Sequence, residues 1–274
     1  MPSAEELLQD WERYLKYYRE QRMEAGVPSP FEVYWMGHIS GVKRLNNEQV
    51  DPQLTDWLRD PCVMRYWSKE QVYKKIVEEI SMCRNCELHQ TRTKTVPGEG
   101  PLRAEVMIVG EAPGKDEDAS GKPFVGRAGQ ELFDEILAKH MGWPRHRIFI
   151  GNCLKCRPPN NRDPKPEEVH ACHHFLHRQI NLVSPKVIVA TGKFAARWLT
   201  GLPVQKLKEV LGRVHWYTHF PVVCVPHPAA FLRQKHVPKE QRQPMDYGQL
   251  IWDGLQEAKR ILELPYDNEF WSGQ

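Results

Sequence analysis

The chain has 274 residues, enough for one domain of ordinary size with its own buried core plus an accessory segment. Its net charge of +3 is too small to indicate a nucleic-acid partner by itself, although the basic excess lies after residue 80. The start lacks the basic and apolar regions of a secretory signal, and no apolar run approaches the ~20 residues of a membrane span, so we expect a cytoplasmic protein without membrane contact.

Residues 1–75 form an aromatic-rich extension that we separate from the domain at 76–274. Apolar residues recur at helical spacing over 4–25, which predicts one amphipathic helix with a packing face. Residues 30–67 contain six aromatic side chains, a composition that disfavours disorder. The extension shows no motif of recognisable chemistry, and we expect it to pack on the core or to contact a protein partner.

After residue 68 the sequence alternates short apolar strands with amphipathic helices, which is typical of an α/β fold. Parallel strands are predicted at 106–110, 148–151, 186–190 and 222–225. Helices are predicted at 69–82, 127–141, 165–183, 193–200 and 246–262. In such sheets ligands bind beyond the carboxyl ends of the strands. Glycine-rich or polar residues follow three of the four strands, namely Gly110 with Glu111, then Asn152, then His227.

Seven cysteines are an odd number, and in a chain without a secretion signal they favour metal binding over a disulfide framework. The candidates for one site are Cys83, Cys86, Cys156 and Cys172. Four thiolates bind either zinc or an iron–sulfur cluster, and the spacing favours neither strongly, although the lack of a second tight pair disfavours a zinc ribbon. Unrelated buried cysteines are the alternative. We expect Cys153 and Cys224, in or beside strands, to be small buried apolar residues.

The segment 110–114, Gly-Glu-Ala-Pro-Gly, follows the first strand and is suited to contact with a ligand. Its glycines permit close approach of the backbone, and Pro113 stiffens the loop. It is not a dinucleotide-binding motif, because the Gly-x-Gly-x-x-Gly order is missing and no helix is expected to start at once. Downstream, Phe124 stands between two glycines, either as a platform for a planar base or as a core residue.

Two further side chains stand at strand ends. Asn152 offers both amide donors and an acceptor, which can read the edge of a base, although an isolated asparagine here is more often a turn residue. His227 follows the last predicted strand, and Pro228 restricts its backbone. This placement makes a functional histidine as plausible as a structural one.

Taken together, these motifs resemble the family 4, iron–sulfur uracil-DNA glycosylases. The order and spacing of the motifs match, and the resemblance covers residues from about 76 to 262. The motifs that carry it are Cys83 with Cys86, the loop 110–114, the segment 122–126, Asn152 with the segment 155–159, Cys172, and His227 with Pro228.

The resemblance implies a three-layer α/β/α sandwich with a short four-stranded parallel sheet, preceded by a mostly helical extension. It also implies a [4Fe-4S] cluster held by the four candidate cysteines. The family hydrolyses the bond between uracil and deoxyribose and leaves an abasic site, a step of DNA repair that requires the nucleotide to leave the stack. The implied partner is uracil-containing DNA, and we expect a monomer.

By position in the motifs, Phe124 would stack on uracil, Asn152 would bind its O4 and N3 edge, and His227 would contact O2. Glu111, with the backbone of Gly110 and Ala112, would line the pocket and position or polarise water. Whether Glu111 is a general base stays open. The expected catalytic residues are therefore Glu111, Asn152 and His227.

The run Phe231, Leu232 and Arg233 would enter the minor groove, with an apolar wedge in the vacated stack and the arginine near phosphate. Relatives usually carry leucine at the position of Phe231, so we expect altered efficiency rather than loss. They favour an aliphatic residue at the position of Cys153, a difference that a strand tolerates.

Three alternatives accompany this interpretation. The cross-linking branch of the superfamily carries an inserted basic loop with a histidine, which is missing between Cys156 and Pro164. A glycosylase for a 5-substituted uracil would share the same pocket residues. A non-catalytic iron–sulfur module that binds DNA or a protein would not need Glu111, Phe124, Asn152 and His227 to be intact.

Overall fold

The structure is a computed structural model that describes residues 68–237 and 246–264. The helix expected over 4–25, the aromatic segment 30–67 and Cys62 lie outside the described residues. The domain boundary between 75 and 76 stays a prediction.

A mostly parallel sheet forms the centre of the described chain. Its strands are β1 (Val106–Gly110), β2 (Ile148–Asn152), β3 (Val187–Thr191), β4 (Val214–Tyr217) and β5 (Phe220–Val225). They lie side by side in the order β2-β1-β3-β5-β4, with β4 antiparallel to β5 and the other neighbours parallel. The four predicted strands correspond to β1, β2, β3 and β5 and are confirmed within one or two residues at each end.

The sequence prediction of four strands was wrong by one, since β4 forms an antiparallel edge. Its burial alternates between half-buried and buried residues, as expected for an edge strand that faces the core on one side. A tight turn at Thr218, which has a φ of 56°, joins β4 to β5. Hairpin turns with positive φ usually carry Gly, Asn or Asp, so a threonine there left the hairpin without its sequence signal.

Helices cover both faces of the sheet. They are α1 (Lys69–Met82), α2 (Lys115–Ser120), α3 (Arg127–Gln130), a π-helix that continues α3 (Glu131–Met141), α4 (Pro166–Val183), α5 (Gly192–Thr200), α6 (Pro228–Lys235) and α7 (Tyr247–Glu263). None of the helices in the described ranges has the length and apolar character needed to cross a membrane.

Two hydrophobic clusters show the three layers. Met107 and Val109 point from β1 into a cluster with apolar residues of α4 and α5. Val106 and Ile108 point the other way, into a cluster with residues of the π-helix and α7. Alternate residues of a strand face opposite sides, so a central strand buried on both sides is apolar throughout. The α/β/α class predicted from the sequence is confirmed.

Helix α2 was missed, because it has six residues and no apolar repeat. It begins directly after Gly114, and Glu117 in its first turn accepts a hydrogen bond from the Gly114 N–H at 3.0 Å. The expectation that no helix starts immediately after this loop was therefore wrong. The loop itself still separates the strand from the helix by four residues, unlike the tight strand-to-helix turn of a dinucleotide site.

Helix α1 is attached to the core next to α4. It buries Val72, Ile76 and Ile80, and its N-terminus carries a capping box between Ser68 and Gln71. The Tyr73 hydroxyl donates a hydrogen bond to the Gly98 carbonyl at 2.8 Å. The helix ends at Met82, so the first cysteine pair follows an anchored element.

Candidate active site and cysteine cluster

The carboxyl ends of β1 and β2 bring three predicted site residues together. Gly110 and Asn152 are register partners at the last pair of the two strands. A Cβ atom on Gly110 would lie 2.4 Å from the Asn152 Oδ1 and 2.7 Å from the Phe124 Cζ. Glycine is therefore required at 110, because any side chain there would displace both neighbours.

The ring of Phe124 lies beside Gly110 and faces the imidazole of His227, and we call the site formed by Gly110, Phe124, Asn152 and His227 the candidate pocket. The Phe124 ring lies nearly parallel to the imidazole of His227, with an interplanar angle of 25° and ring centroids 6.4 Å apart. Its backbone is in the left-handed region, with a φ of 52°, which is unusual for an aromatic residue and requires support from the surroundings. A flat ligand beside Phe124 would thus lie parallel to both rings.

Asn152 presents an amide that no described residue engages through a hydrogen bond. The residue is 2% exposed, and its backbone carbonyl accepts a hydrogen bond from the Lys155 ammonium at 2.8 Å. Among the described residues no side-chain polar atom is both sealed from solvent and without a partner, so the Asn152 amide keeps some contact with solvent. A nearly buried and unengaged amide is suited to bind a polar ligand edge.

His227 caps the N-terminus of α6 and is neutral at physiological pH. The pKa of His227 is lowered to about 4, mainly by burial and also by the positive charge of Arg233, while the Glu117 carboxylate opposes the shift. Its Nδ1 accepts a hydrogen bond from the Ala229 N–H at 3.2 Å. The proton of the neutral ring is therefore assigned to Nε2, which makes that nitrogen a donor.

The absence of a side chain at Gly192 leaves space for the His227 side chain. Gly192 has a φ of 89°, and a Cβ atom there would lie 3.1 Å from the Cβ of His227. The glycine directly follows β3, so the ends of β1, β2, β3 and β5 all contribute to one edge of the sheet. The sequence prediction did not include Gly192.

Glu111 is half-buried at the same edge. The pKa of Glu111 is raised to about 7, mainly by burial and also by the carboxylate of Asp163, while the ammonium of Lys193 opposes the rise. Near neutral pH the carboxyl group is divided between its protonated and ionised forms. Such a group can hold or accept a proton at the pH of the cell.

Glu117, which was not among the residues predicted from the sequence, joins the two loops that line the pocket. Its carboxylate accepts hydrogen bonds from the N–H groups of Gly114 at 3.0 Å, Val125 at 2.9 Å and Gly126 at 2.8 Å. One side chain therefore ties the loop 110–114 to the segment that contains Phe124. A glutamate three residues after a helix-capping glycine was the available signal.

The four candidate cysteines line a single cavity. Cys83 and Cys86 follow α1, Cys156 follows β2, and Cys172 lies on α4, with apolar walls that include Leu88, Leu154 and Phe175. The Cys156 sulfur accepts a hydrogen bond from Arg92 Nη1 at 3.2 Å, and the Cys172 sulfur accepts one from the Lys155 N–H at 3.3 Å.

All four thiols belong to residues that line this one cavity. Within the described ranges, no three His, Cys, Asp or Glu side chains are placed to hold a single ion. A tetrahedral zinc needs its sulfurs about 2.3 Å from one centre, whereas a cluster of four irons holds its thiolates around a larger body. The four thiols, two of which accept hydrogen bonds at sulfur, are a donor set of the kind that both zinc and iron–sulfur clusters use. Cys153 and Cys224 are buried in the core, as predicted.

A basic groove extends from His227. It has a volume of about 460 Å³, and its walls include Lys193, Lys206, Lys208 and Tyr247. In the part of the chain that the structure describes, none of the three lysines forms an ion pair with a carboxylate. This groove was not predicted from the sequence, because Lys193 lies at the start of α5 and the other two lysines lie in the separate segment 206–208.

Helix α6 carries the three residues that were predicted to contact DNA. Phe231 packs against the hydrophobic cluster below it and lies close to Gly248, where a Cβ atom would be 2.8 Å from the ring. Leu232 is half-buried and Arg233 is exposed. Of the two apolar residues, the ring of Phe231 is committed to packing within the protein.

Residues 97–250 match the uracil DNA glycosylase superfamily. This match covers more than half of the chain and coincides with the sheet and the pocket. The chain belongs to the uracil DNA glycosylase superfamily.

Its curated relatives narrow the assignment. The type-4 uracil-DNA glycosylase of Archaeoglobus fulgidus is 47% identical over 172 residues, which are 60% of this chain and 85% of the relative. The type-4 enzyme of Thermotoga maritima is 41% identical over 170 residues, 62% of this chain and 88% of the relative. A type-5 uracil-DNA glycosylase of Pyrobaculum aerophilum is 33% identical over 117 residues, 38% of this chain and 51% of the relative. Within the superfamily, the chain belongs to the type-4 family, which confirms the resemblance identified from the motifs.

Proposed function

We propose that this uracil-DNA glycosylase flips uracil out of DNA into the pocket formed by Gly110, Phe124, Asn152 and His227, and hydrolyses its N-glycosidic bond. The observation that carries the assignment of the pocket is the unengaged Asn152 amide beside the Phe124 ring. Extrusion of a nucleotide costs a few kcal/mol in lost stacking and pairing, which the pocket must return through contacts to the base.

In this proposal, recognition of uracil depends on the hydrogen-bond donor and acceptor along one edge of the base. Uracil offers an acceptor at O4 and a donor at N3, which a single amide can bind with its NH2 group and its oxygen. Cytosine has a donor in place of O4, so the Asn152 NH2 group would face another donor. A site that leaves a buried polar group unpaired discriminates strongly, because the lost hydrogen bond is not replaced by water.

His227 stabilises the departing base. As the bond breaks, the base gains negative charge, much of it on O2, while the sugar becomes cationic. The Nε2–H of the neutral imidazole is a donor that can strengthen its hydrogen bond to O2 as this charge develops. An interaction that is stronger in the transition state than in the ground state raises the rate of the chemical step.

Glu111 acts on the water that attacks the sugar. In its ionised form the carboxylate orients this water and stabilises the adjacent positive charge, and it can accept a proton as the new bond forms. Because the pKa of Glu111 is about 7, the ionised fraction rises through the neutral range. Gly110 and Ala112 shape the loop that holds this carboxylate beside the base.

The duplex contacts α6 and the basic groove. Lys193, Lys206 and Lys208 are placed to bind phosphates next to the flipped nucleotide, since phosphate contacts position a protein on DNA without reading sequence. Leu232 fills the vacated stack and Arg233 contacts the adjacent phosphate. Phe231 would lose its packing against Gly248 if it acted as the wedge. In this proposal it therefore stays packed in the protein and supports Leu232.

Cys83, Cys86, Cys156 and Cys172 hold a [4Fe-4S] cluster in this proposal. The cluster supplies a covalent link between the loop after α1, the loop after β2 and helix α4. The chain's own contribution is the apolar cavity and the two donors to sulfur, Arg92 and the Lys155 N–H. The reaction itself uses only the pocket residues.

The remaining parts of the proposal concern context. One chain supplies every pocket residue, which supports a monomer as the active unit. A DNA substrate supports an intracellular location. The aromatic composition of residues 1–67 supports a segment that packs or binds a protein partner.

The test is excision from a duplex that contains one uracil, followed by alkaline cleavage of abasic sites. We expect strand breaks with the wild-type protein, and a loss of at least about 100-fold for Asn152→Ala because the base edge loses its partner. Asn152→Ala should keep the absorption of the cluster and its melting temperature. Parallel duplexes with a 5-substituted uracil measure how far the pocket accepts a larger base.

Absence of strand breaks from the cluster-loaded wild-type protein would instead support the non-catalytic DNA- or protein-binding module. Equal rates for Asn152→Ala and wild type would contradict the assigned pocket.

A further inference from the structure

Arg145 lies outside the pocket but contacts the main chain that holds Phe124. Its Nη1 donates a hydrogen bond to the Phe124 carbonyl at 3.1 Å, and its Nη2 donates one to the Pro123 carbonyl. The guanidinium also lies 4.9 Å from the centroid of the Phe133 ring, which meets the Phe124 ring edge to face. One cation therefore supports both the backbone and the ring neighbour of the residue that stacks on the base.

Arg145 is itself held by Glu99. The Glu99 Oε1 accepts hydrogen bonds from Arg145 Nε at 2.8 Å and from Nη2 at 2.7 Å. The planar guanidinium can make these bonds and those to the two carbonyls at once, because its donors have a rigid fork geometry. A lysine has no such geometry and cannot replace it fully.

Glu99 is anchored on the strand that ends in Asn152. Its N–H donates to the Ile150 carbonyl at 2.9 Å, and its own carbonyl accepts from the Ile150 N–H at 2.8 Å. The backbone approaches the strand closely at the next residue, since a Cβ atom on Gly100 would lie 2.2 Å from the Ile148 carbonyl oxygen. Glu99 thus sits two residues along β2 from Asn152, on a segment that cannot move away without losing these contacts.

We propose that Arg145, oriented by Glu99, is a positioning residue that sets the distance between the Phe124 ring and the Asn152 amide, and so decides which substituents on a pyrimidine the pocket accepts. The inference rests on the proposed function, because it assigns the ring and the amide to the same base. The contact path runs from β2 through Glu99 and Arg145 to the carbonyls of Pro123 and Phe124.

The strained backbone of Phe124 explains why this support is needed. A φ of 52° is held only where surrounding contacts over-determine it. The backbone of helix α3 lies close to the same carbonyl, since a Cβ atom on Gly129 would be 2.1 Å from the Phe124 oxygen. Without the guanidinium, two carbonyls lose their donor and the ring can move relative to the amide.

An ordinary surface ion pair would have no such effect on specificity. The Arg145 and Glu99 side chains are 30% and 36% exposed, and pairs of this kind contribute little to stability. Arg260 and Glu257 on α7 form a pair of similar exposure, 32% and 30%, and also with two nitrogens on one carboxylate. Arg260→Ala is therefore the matched control for Arg145→Ala.

The experiment compares single-turnover excision of uracil and of 5-bromouracil, each opposite guanine, by the cluster-loaded proteins. For Arg145→Ala we expect the rate of uracil excision to fall about tenfold. The ratio of the uracil rate to the 5-bromouracil rate should also fall about tenfold, since sub-ångström misplacement of a binding group has effects of this order. Affinity for a uracil-free duplex should not change. Arg145→Lys and Glu99→Gln should show the same fall in this ratio to a smaller degree, and Arg260→Ala should show none.

An unchanged preference in Arg145→Ala would overturn the inference, whether or not the overall rate falls. Should that variant not fold, Glu99→Gln decides the question by the same criterion, because it keeps an acceptor but removes the charge. Failure of the proposed function is a distinct result, since it would appear as a wild-type protein that excises neither base.

Discussion

The pocket and the cysteine cavity are both built from loops at the ends of buried elements, but they are held in different ways. Around the pocket, Glu117 and Arg145 bind main-chain N–H and carbonyl groups, so the polypeptide positions its own binding residues. Around the cysteine cavity the walls are largely apolar. The cysteine sulfurs accept two hydrogen bonds, one from Arg92 and one from the Lys155 N–H. The difference indicates that the chain itself organises the pocket, whereas under the proposed function the cysteine loops would depend on the cluster that they hold.

The largest expected effect is on the stability of the protein, and it should follow from changes in the cysteine cavity. Cys156→Ser should lose the cluster absorption and lower the melting temperature by about 10 °C or more, because binding free energy of a structural metal group is also folding free energy. Cys224→Ala, a buried cysteine outside the cavity, serves as the control and should keep the cluster with a drop of only a few degrees. Equal melting temperatures for Cys156→Ser and wild type would remove the contrast between the regions.

A smaller effect concerns the pocket and its pH dependence. Burial raises the pKa of Glu111 to about 7, so the ionised form increases as the pH rises through this value. Single-turnover excision should therefore be about tenfold faster at pH 8 than at pH 6, since one pH unit below its pKa an acid is about one tenth ionised. Glu111→Gln should be slow and should lack this rise.

His227 does not contribute to that rise, because its pKa is about 4 and the ring stays neutral over the same range.

The stability of the folded protein should fall over the pH range in which the excision rate rises. The folded state binds the Glu111 proton more tightly than the unfolded state, whose pKa is near 4.5, so this carboxyl group destabilises the fold progressively as the pH rises from 4.5 to about 7. A rate profile that stays flat in the wild type would contradict an ionised Glu111 in the reaction.

The smallest effect lies in the basic groove, which contributes affinity but no chemistry. The double variant Lys206→Ala, Lys208→Ala should weaken binding to any duplex a few-fold and reduce the slope of log affinity against log salt by about one or two, as expected for lost phosphate contacts. Excision at saturating enzyme should be unchanged. Lys139→Ala, at an exposed lysine paired with Glu135, is the control, and an equal slope in both variants would show that the groove does not bind phosphate.

Much of the architecture could be predicted because its signals are local. The apolar runs of β1, β2, β3 and β5 and the helical repeats of α1, α4, α5 and α7 depend on side chains within one turn or one pleat of each other. The same holds for the motifs at 110–114 and at His227, since each follows its strand directly. The edge strand β4 and helix α2 were missed because one has a threonine turn and the other has no apolar repeat.

The sequence by itself therefore determined the fold class, the family and the edge of the sheet at which Gly110, Asn152 and His227 meet. Tertiary structure alone decided which side chains support them. Glu99 reaches Arg145 across 46 positions, and the lysines of the basic groove come from helix α5 and from the segment 206–208. Tertiary structure also decided the proton affinities of Glu111 and His227. A pKa shift depends on the water that folding removes and on the charges that it brings near, and the neighbouring residues in the sequence determine neither.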